Sequence, residues 1–162
     1  MNTLCMESGF VSLNKQGEDL CGDFFTTVSD DDATAFVLSD GMGSGVKANI
    51  LATLTAKILA TMTANHLSIR DSVTTLAQTL PVCSVRKLAY STFTLMQVLP
   101  DWQVYLAQFD NPQAILLRDG KSVEYPTQEL MVGDKRILES RLTLQSGDVF
   151  LLMTDGVTHA GL

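Results

Sequence analysis

The sequence predicts an α+β domain built on antiparallel sheets, and three observations lead there. Runs rich in β-branched and aromatic residues crowd both halves of the 162-residue chain. Between them lies Val46 to Leu67, a long stretch with neither Gly nor Pro. The strand-like runs are joined by short polar or Gly-containing turns instead of alternating one by one with helices, the pattern expected for antiparallel sheets. Two such sheets packed face to face would bury their alternating apolar positions, with helices over an outer face. No repeat or low-complexity linker divides the chain, so one domain over 1–162 is expected.

Taken in order, Cys5 to Leu13 mixes Val, Phe and Ser and reads as a first strand, followed by a loop over Asn14 to Asp19. Leu20 to Val28 has the β-branched and aromatic content of a half-buried strand, with Asp23 near its start. Asp30-Asp31-Asp32 is a solvated hairpin tip, because adjacent like charges prefer water. Ala33 to Ser39 is the next strand and delivers Asp40 at its end. Val46 to Leu67 then carries Ile50, Leu51, Leu54, Ile58, Leu59 and Met62 at helical spacing, as one broad apolar face. A second helix begins at Ser68, where Ser68 and Asp71 form a capping pattern, and Pro81 ends it.

The remainder is mostly strands: Ser91 to Leu99, Trp102 to Phe109, Ala114 to Leu117, Ser122 to Tyr125, Leu138 to Leu144 and Val149 to Thr154. Asp119-Gly120 marks a tight hairpin turn. Asp134 and Asp148 read as turn residues, and Asp155-Gly156 closes the last strand much as Asp40-Gly41 closes an earlier one.

Composition narrows the function. With 46% apolar and 18% charged residues the chain is an ordinary globular one. A net charge of -7 argues against a nucleic-acid surface, which needs clustered Lys and Arg. No apolar run is long enough for a membrane span and no leader pattern opens the chain, so the expected location is cytoplasmic. Cys5, Cys21 and Cys83 form no CxxC pair, and only His66 and His159 are present, so a zinc site is not expected.

Chemistry concentrates in Phe36-Val37-Leu38-Ser39-Asp40-Gly41-Met42-Gly43-Ser44-Gly45. A P-loop needs Lys-Ser/Thr after its glycines, whereas Val46 follows Gly45. A dinucleotide turn has different glycine spacing, and Asp40 would repel pyrophosphate. A divalent cation makes use of the acid instead, since hard cations take carboxylate, carbonyl and water oxygens. Asp40 is therefore the expected metal ligand, with Asp23 and Asp155 brought to it from elsewhere and the Gly41 carbonyl free to face the ion. No Arg adjoins Asp23 or Asp40 to grip a phosphate.

Gly22-Asp23, Ser39-Asp40-Gly41-Met42-Gly43-Ser44-Gly45, Tyr90-Ser91-Thr92-Phe93, Leu144-Gln145-Ser146-Gly147-Asp148 and Thr154-Asp155-Gly156-Val157 occur in the order seen in the metal-dependent serine/threonine phosphatases (PPM). The chain resembles in particular their bacterial branch typified by the stage II sporulation protein E phosphatase. That resemblance implies an αββα sandwich with a binuclear manganese or magnesium (Mn2+ or Mg2+) site. Asp40 would bridge the metals, Gly41 would offer its carbonyl, and Asp23 and Asp155 would complete the shells. The implied activity is hydrolysis of phosphoserine or phosphothreonine on a protein, in this branch an anti-sigma-factor antagonist. No covalent nucleophile is implied, so Cys21 and Ser39 are expected to be structural.

Two departures stand out. Phe109-Asp110-Asn111-Pro112 replaces the Gly-His or Gly-Ser-Thr turn of many relatives. The family's last metal-binding aspartate lies beyond Leu162, so the domain is expected to lack its carboxyl-terminal helix and strand. That absence makes a non-catalytic interaction module the rival reading.

Overall fold

The computed structural model describes residues 4–79 and 91–160. Strand β1 (Asp23–Ser29) and β2 (Thr34–Gly41) form a hairpin, followed by α1 (Gly45–Ala64) and α2 (Ile69–Thr79). Then come β3 (Ser91–Val98), β4 (Gln103–Phe109), β5 (Ile115–Arg118), β6 (Lys121–Val123), β7 (Gln128–Val132), β8 (Lys135–Thr143), β9 (Val149–Leu151) and a one-turn α3 (Asp155–Thr158). A six-stranded sheet has the order β1-β2-β3-β4-β8-β7 and a three-stranded one β6-β5-β9, with antiparallel pairing throughout.

Period-two alternation gives the large sheet two apolar faces. Val37, Phe93, Leu95, Ala107 and Phe109 pack with Ala56, Leu59 and Ala60 of α1 and Val73 and Leu76 of α2. On the other face, Phe36, Met96, Val98, Val104 and Leu106 pack with Phe150 and Tyr125 around the small sheet. The result is the α+β class expected, with two antiparallel sheets and few helices, α1 and α2 both lying over the large sheet. Among the described residues, no helix is long and apolar enough to cross a membrane.

The hairpin tip is as expected: the Asp30 carboxylate accepts from the amides of Asp32 and Ala33 at 2.8 Å each. Those bonds hold its pKa below the usual value. The Ser68 start of the second helix is also found, with the Asp71 amide donating to Ser68 Oγ. Its expected end at Pro81 lies outside the described residues, as do Cys83 and Tyr90.

Four details differ from expectation. Cys5 to Leu13 is not a strand, since it has no ladder partner; Val11 and Leu13 are exposed, and Phe10 stacks on Phe25 at 5.0 Å between centroids. Strand β7 was not expected, yet Leu130 and Val132 pack against the core and Gly133-Asp134 turns the chain into β8. The last strand stops at Leu151, and Asp155 opens α3 where a strand end was expected. The fourth difference concerns α1, which buries Ala48, Ala52, Thr55, Ala56, Leu59 and Ala60 while leaving Ile50 and Leu54 exposed. Small residues let the helix axis come close to β2, so close that Ser39 Oγ donates to the Ala52 carbonyl at 2.5 Å.

Candidate metal centre

The β1–β2 register sets Asp23 directly opposite Asp40, and β3 sets Thr92 opposite Asp40 on the other side. By strand parity all three side chains share the face turned toward the small sheet. Asp155 arrives from that small sheet, four residues after β9. A cross-sheet bond joins the two halves: Thr154, buried, donates its hydroxyl to Asp23 Oδ2 at 2.9 Å. Thr154 stands at the N-cap of α3 without capping it, because its hydroxyl is turned to Asp23.

Electrostatics report the same convergence. The Asp40 pKa is pushed up to about 8, first by burial, then by the charge of Asp23, then by hydrogen bonding with and charge from Asp155. Carboxylates packed together without a cation cannot all ionise. None of the ion pairs among the described residues involves Asp23, Asp40 or Asp155. The donor set is all oxygen and its charge is uncompensated, which suits a hard divalent cation. Among the described residues, no group of three or more His, Cys, Asp or Glu is placed so as to hold a metal ion by itself. Carbonyl and water oxygens would have to complete any coordination shell around these acids.

Backbone geometry explains why the turn after Asp40 is glycine-rich. The Gly41 amide donates to the Gly22 carbonyl at 2.9 Å, tying the turn to the start of β1. A Cβ on Gly41 would lie 1.9 Å from the Ala48 carbonyl oxygen. Gly43 and Gly45 have φ of 94° and 71°, in the left-handed region that side chains disfavour. Around them, Ser44 Oγ donates to Glu18 Oε1 at 2.9 Å and Ser91 Oγ donates to the Asp40 carbonyl at 2.9 Å. Asn49 of α1 donates to the Cys21 carbonyl at 2.8 Å, beside Asp23.

Every acid singled out from the sequence thus lies in one neighbourhood, with Gly41 next to Asp40. Cys21 Sγ accepts from the Asp23 amide at 3.4 Å, and Ser39 is buried under α1, so both have structural partners. Asn49 and Glu18 carried no functional signal in the sequence, and Thr154, Ser91 and Asn111 appeared there only inside motifs or a turn, with no role of their own. Their importance depends on partners far away along the chain, which spacing does not reveal.

Comparison with known proteins bears on the fold that carries these residues. Among solved structures, one similar to the chain is the PP2C phosphatase domain with a regulatory fragment of SpoIIE from Bacillus subtilis. It is 21% identical with a TM-score of 0.75, over 89% of this chain and 43% of that one. RsbX in complex with magnesium is 22% identical with a TM-score of 0.66, over 89% and 71%. The RsbU and RsbW domains of a Mycobacterium tuberculosis protein are 17% identical with a TM-score of 0.71, over 91% and 43%. At these identities the likeness establishes the fold, and the chain spans under half the length of the SpoIIE structure. No curated protein matches the chain. The family model described as stage II sporulation protein E (SpoIIE) matches residues 30–161, most of the sequence. The chain therefore belongs to the SpoIIE family of PP2C-like phosphatase domains.

Proposed function

We propose that this chain is a metal-dependent protein phosphatase acting on phosphoserine or phosphothreonine. The observation that carries it is Asp40, which at the end of β2 interacts with both Asp23 and Asp155, while among the described residues no ion pair balances any of the three. In this proposal Asp23, Asp40, Asp155 and the Gly41 carbonyl hold a pair of Mn2+ or Mg2+ ions, and the magnesium in the RsbX structure supports that choice. Two such cations, when bound, make hydroxide available near neutral pH and offset charge on the phosphoryl oxygens.

The chain's own residues do the positioning. Asp40, which interacts with both Asp23 and Asp155, would be the ligand common to the set; Thr154 orients Asp23 through its hydroxyl, and Gly41 keeps α1 close behind the turn. The proposed substrate is a phosphoprotein of the anti-sigma-factor antagonist kind, in sporulation or stress signalling in the cytoplasm. Its similarity to RsbX and to RsbU–RsbW domains supports that setting. The test is phosphate release from a phosphoserine peptide with manganese, in wild type and Asp40→Asn. Activity that depends on manganese and disappears in the variant is expected; activity that survives it would sink the role given to Asp40.

A second reading, a non-catalytic interaction module, is favoured by one observation: among the described residues no three His, Cys, Asp or Glu side chains are placed so as to hold a metal ion. Calorimetric titration separates the two, since a module of that kind takes up no manganese.

A further inference from the structure

We propose that Asn111 is a positioning residue that sets the distance between the two halves of the acid cluster, an inference that rests on the metal-dependent reading above. Asp23 and Asp40 belong to the large sheet, while Asp155 follows β9 of the small one. Their relative placement depends on what ties the sheets together at this edge.

The crossover from β4 to β5 passes through Asn111, just after Asp110 turns the chain with φ of 50°. Asn111 Oδ1 accepts from Thr92 Oγ1 at 2.5 Å. Its Nδ2 donates to Thr94 Oγ1 at 3.1 Å and to the Leu38 carbonyl at 3.4 Å. Thr92 is the register partner of Asp40, and Thr94 that of Leu38. One amide group thus lies across β2 and β3 immediately inside Asp40.

Three residues later the other end of the crossover is also pinned. The Ala114 amide donates to Gln108 Oε1 at 2.6 Å, and Tyr125 OH donates to the Ala114 carbonyl at 2.5 Å. Next comes β5, whose Ile115 pairs with Leu151 of β9, and β9 leads directly to Thr154 and Asp155. The path from Asn111 to Asp155 therefore runs through a short loop and one ladder. An amide is needed because it offers an acceptor and two donors at fixed angles; Asp could accept from the hydroxyls of Thr92 and Thr94 but would have nothing to donate to the Leu38 carbonyl.

The experiment uses Asn111→Ala, Thr92→Val and the double variant. Calorimetric titration with Mn2+ should show affinity at least about fivefold weaker in each single variant, and no weaker in the double, as expected for residues acting through one contact. In metal-free protein, the backbone amide NMR signals of residues 154–157 should shift more than those of the distant Asp119-Gly120 turn. Should Asn111→Ala fail to fold, Thr92→Val carries both measurements. Signals at 154–157 matching wild type would overturn the proposal, as would unchanged manganese affinity accompanied only by a lower melting temperature. Wild-type protein that takes up no manganese would instead remove the metal reading, leaving the amide signals to decide whether Asn111 couples the sheets.

Discussion

Replacing Gly41 with Ala puts the placement of α1 to a quantitative test. The added Cβ would stand 1.9 Å from the Ala48 carbonyl oxygen, 2.6 Å from its carbon and 2.8 Å from its Cα, where ordinary contact begins at 3.4 Å. The shortfall is about 1.5 Å against backbone that no rotamer change can relieve. Helix α1 would have to retreat by about that much, opening the seam under Ala48, Ala52 and Ala56 and pulling the Ala52 carbonyl from Ser39. Overpacking of this kind costs about 3 kcal/mol or more. With a urea slope of about 2 kcal/mol/M, the midpoint should fall by about 1.5 M. Gly43→Ala is the internal comparison: nothing lies within 4 Å of its Cβ, so only the φ of 94° is penalised, at about 1 kcal/mol. Urea melts followed by circular dichroism in EDTA would measure both. A Gly41→Ala midpoint within about 0.3 M of wild type, or a loss no greater than that of Gly43→Ala, would refute the close approach of α1 to β2.

Three further predictions concern charge and packing. The Asp40 pKa is raised in the folded protein to about 8, so the folded state holds a proton that the unfolded chain releases near pH 4. Metal-free stability should therefore decline as pH rises from about 4 to about 8, relative to Asp40→Asn, and the comparison of urea midpoints at several pH values checks it. A difference between the two curves that stays constant across that range would contradict the crowding of the three acids. Asp148 behaves oppositely: paired with Arg118 at 2.7 Å through both its oxygens, its pKa is held low. Its contribution should be present at neutral pH and vanish as pH falls through its lowered value, so Asp148→Asn should flatten the acid limb of the stability curve. Leu106, fully buried between the sheets, should cost about 2 to 5 kcal/mol when cut to Ala, measured by thermal or urea unfolding.

Much of the architecture can be read locally. The β1–β2 hairpin follows from three adjacent aspartates between two strand-like runs, and α1 from an unbroken helical stretch. The side of α1 that faces the sheet is a different matter. Helical spacing groups Ile50 and Leu54 with Leu51 and Leu59, yet four of the six buried residues are alanines, because Gly41 and Ser39 require close approach. Apolar content alone does not rank small against large residues. Strand β7 is short and carries Gln128 and Glu129, so its two inward residues gave too little alternation to mark it. The acids could be named because each ends or begins a strand-like run. That Asp23 and Asp40 are cross-strand neighbours depends on register, which sequence spacing suggests only when the hairpin tip is placed correctly. Thr154 was visible only as part of a motif and Asn111 only as part of a departing turn; the partners that give each its place, Asp23 for one and Thr92, Thr94 and Leu38 for the other, lie too far along the chain for spacing to reveal.

The bond from Thr154 to Asp23 spans 131 residues of chain. Closing so long a loop is slow and entropically costly, and it happens only once both sheets exist. The β1–β2 hairpin can place Asp23 beside Asp40 early, with two charges to accommodate. Asp155 joins when docking of the small sheet brings a third carboxyl group into the cluster. Emergence of β9 and α3 from the ribosome is then the moment at which the acid cluster first becomes complete, and a nascent chain lacking them presents only the first two acids.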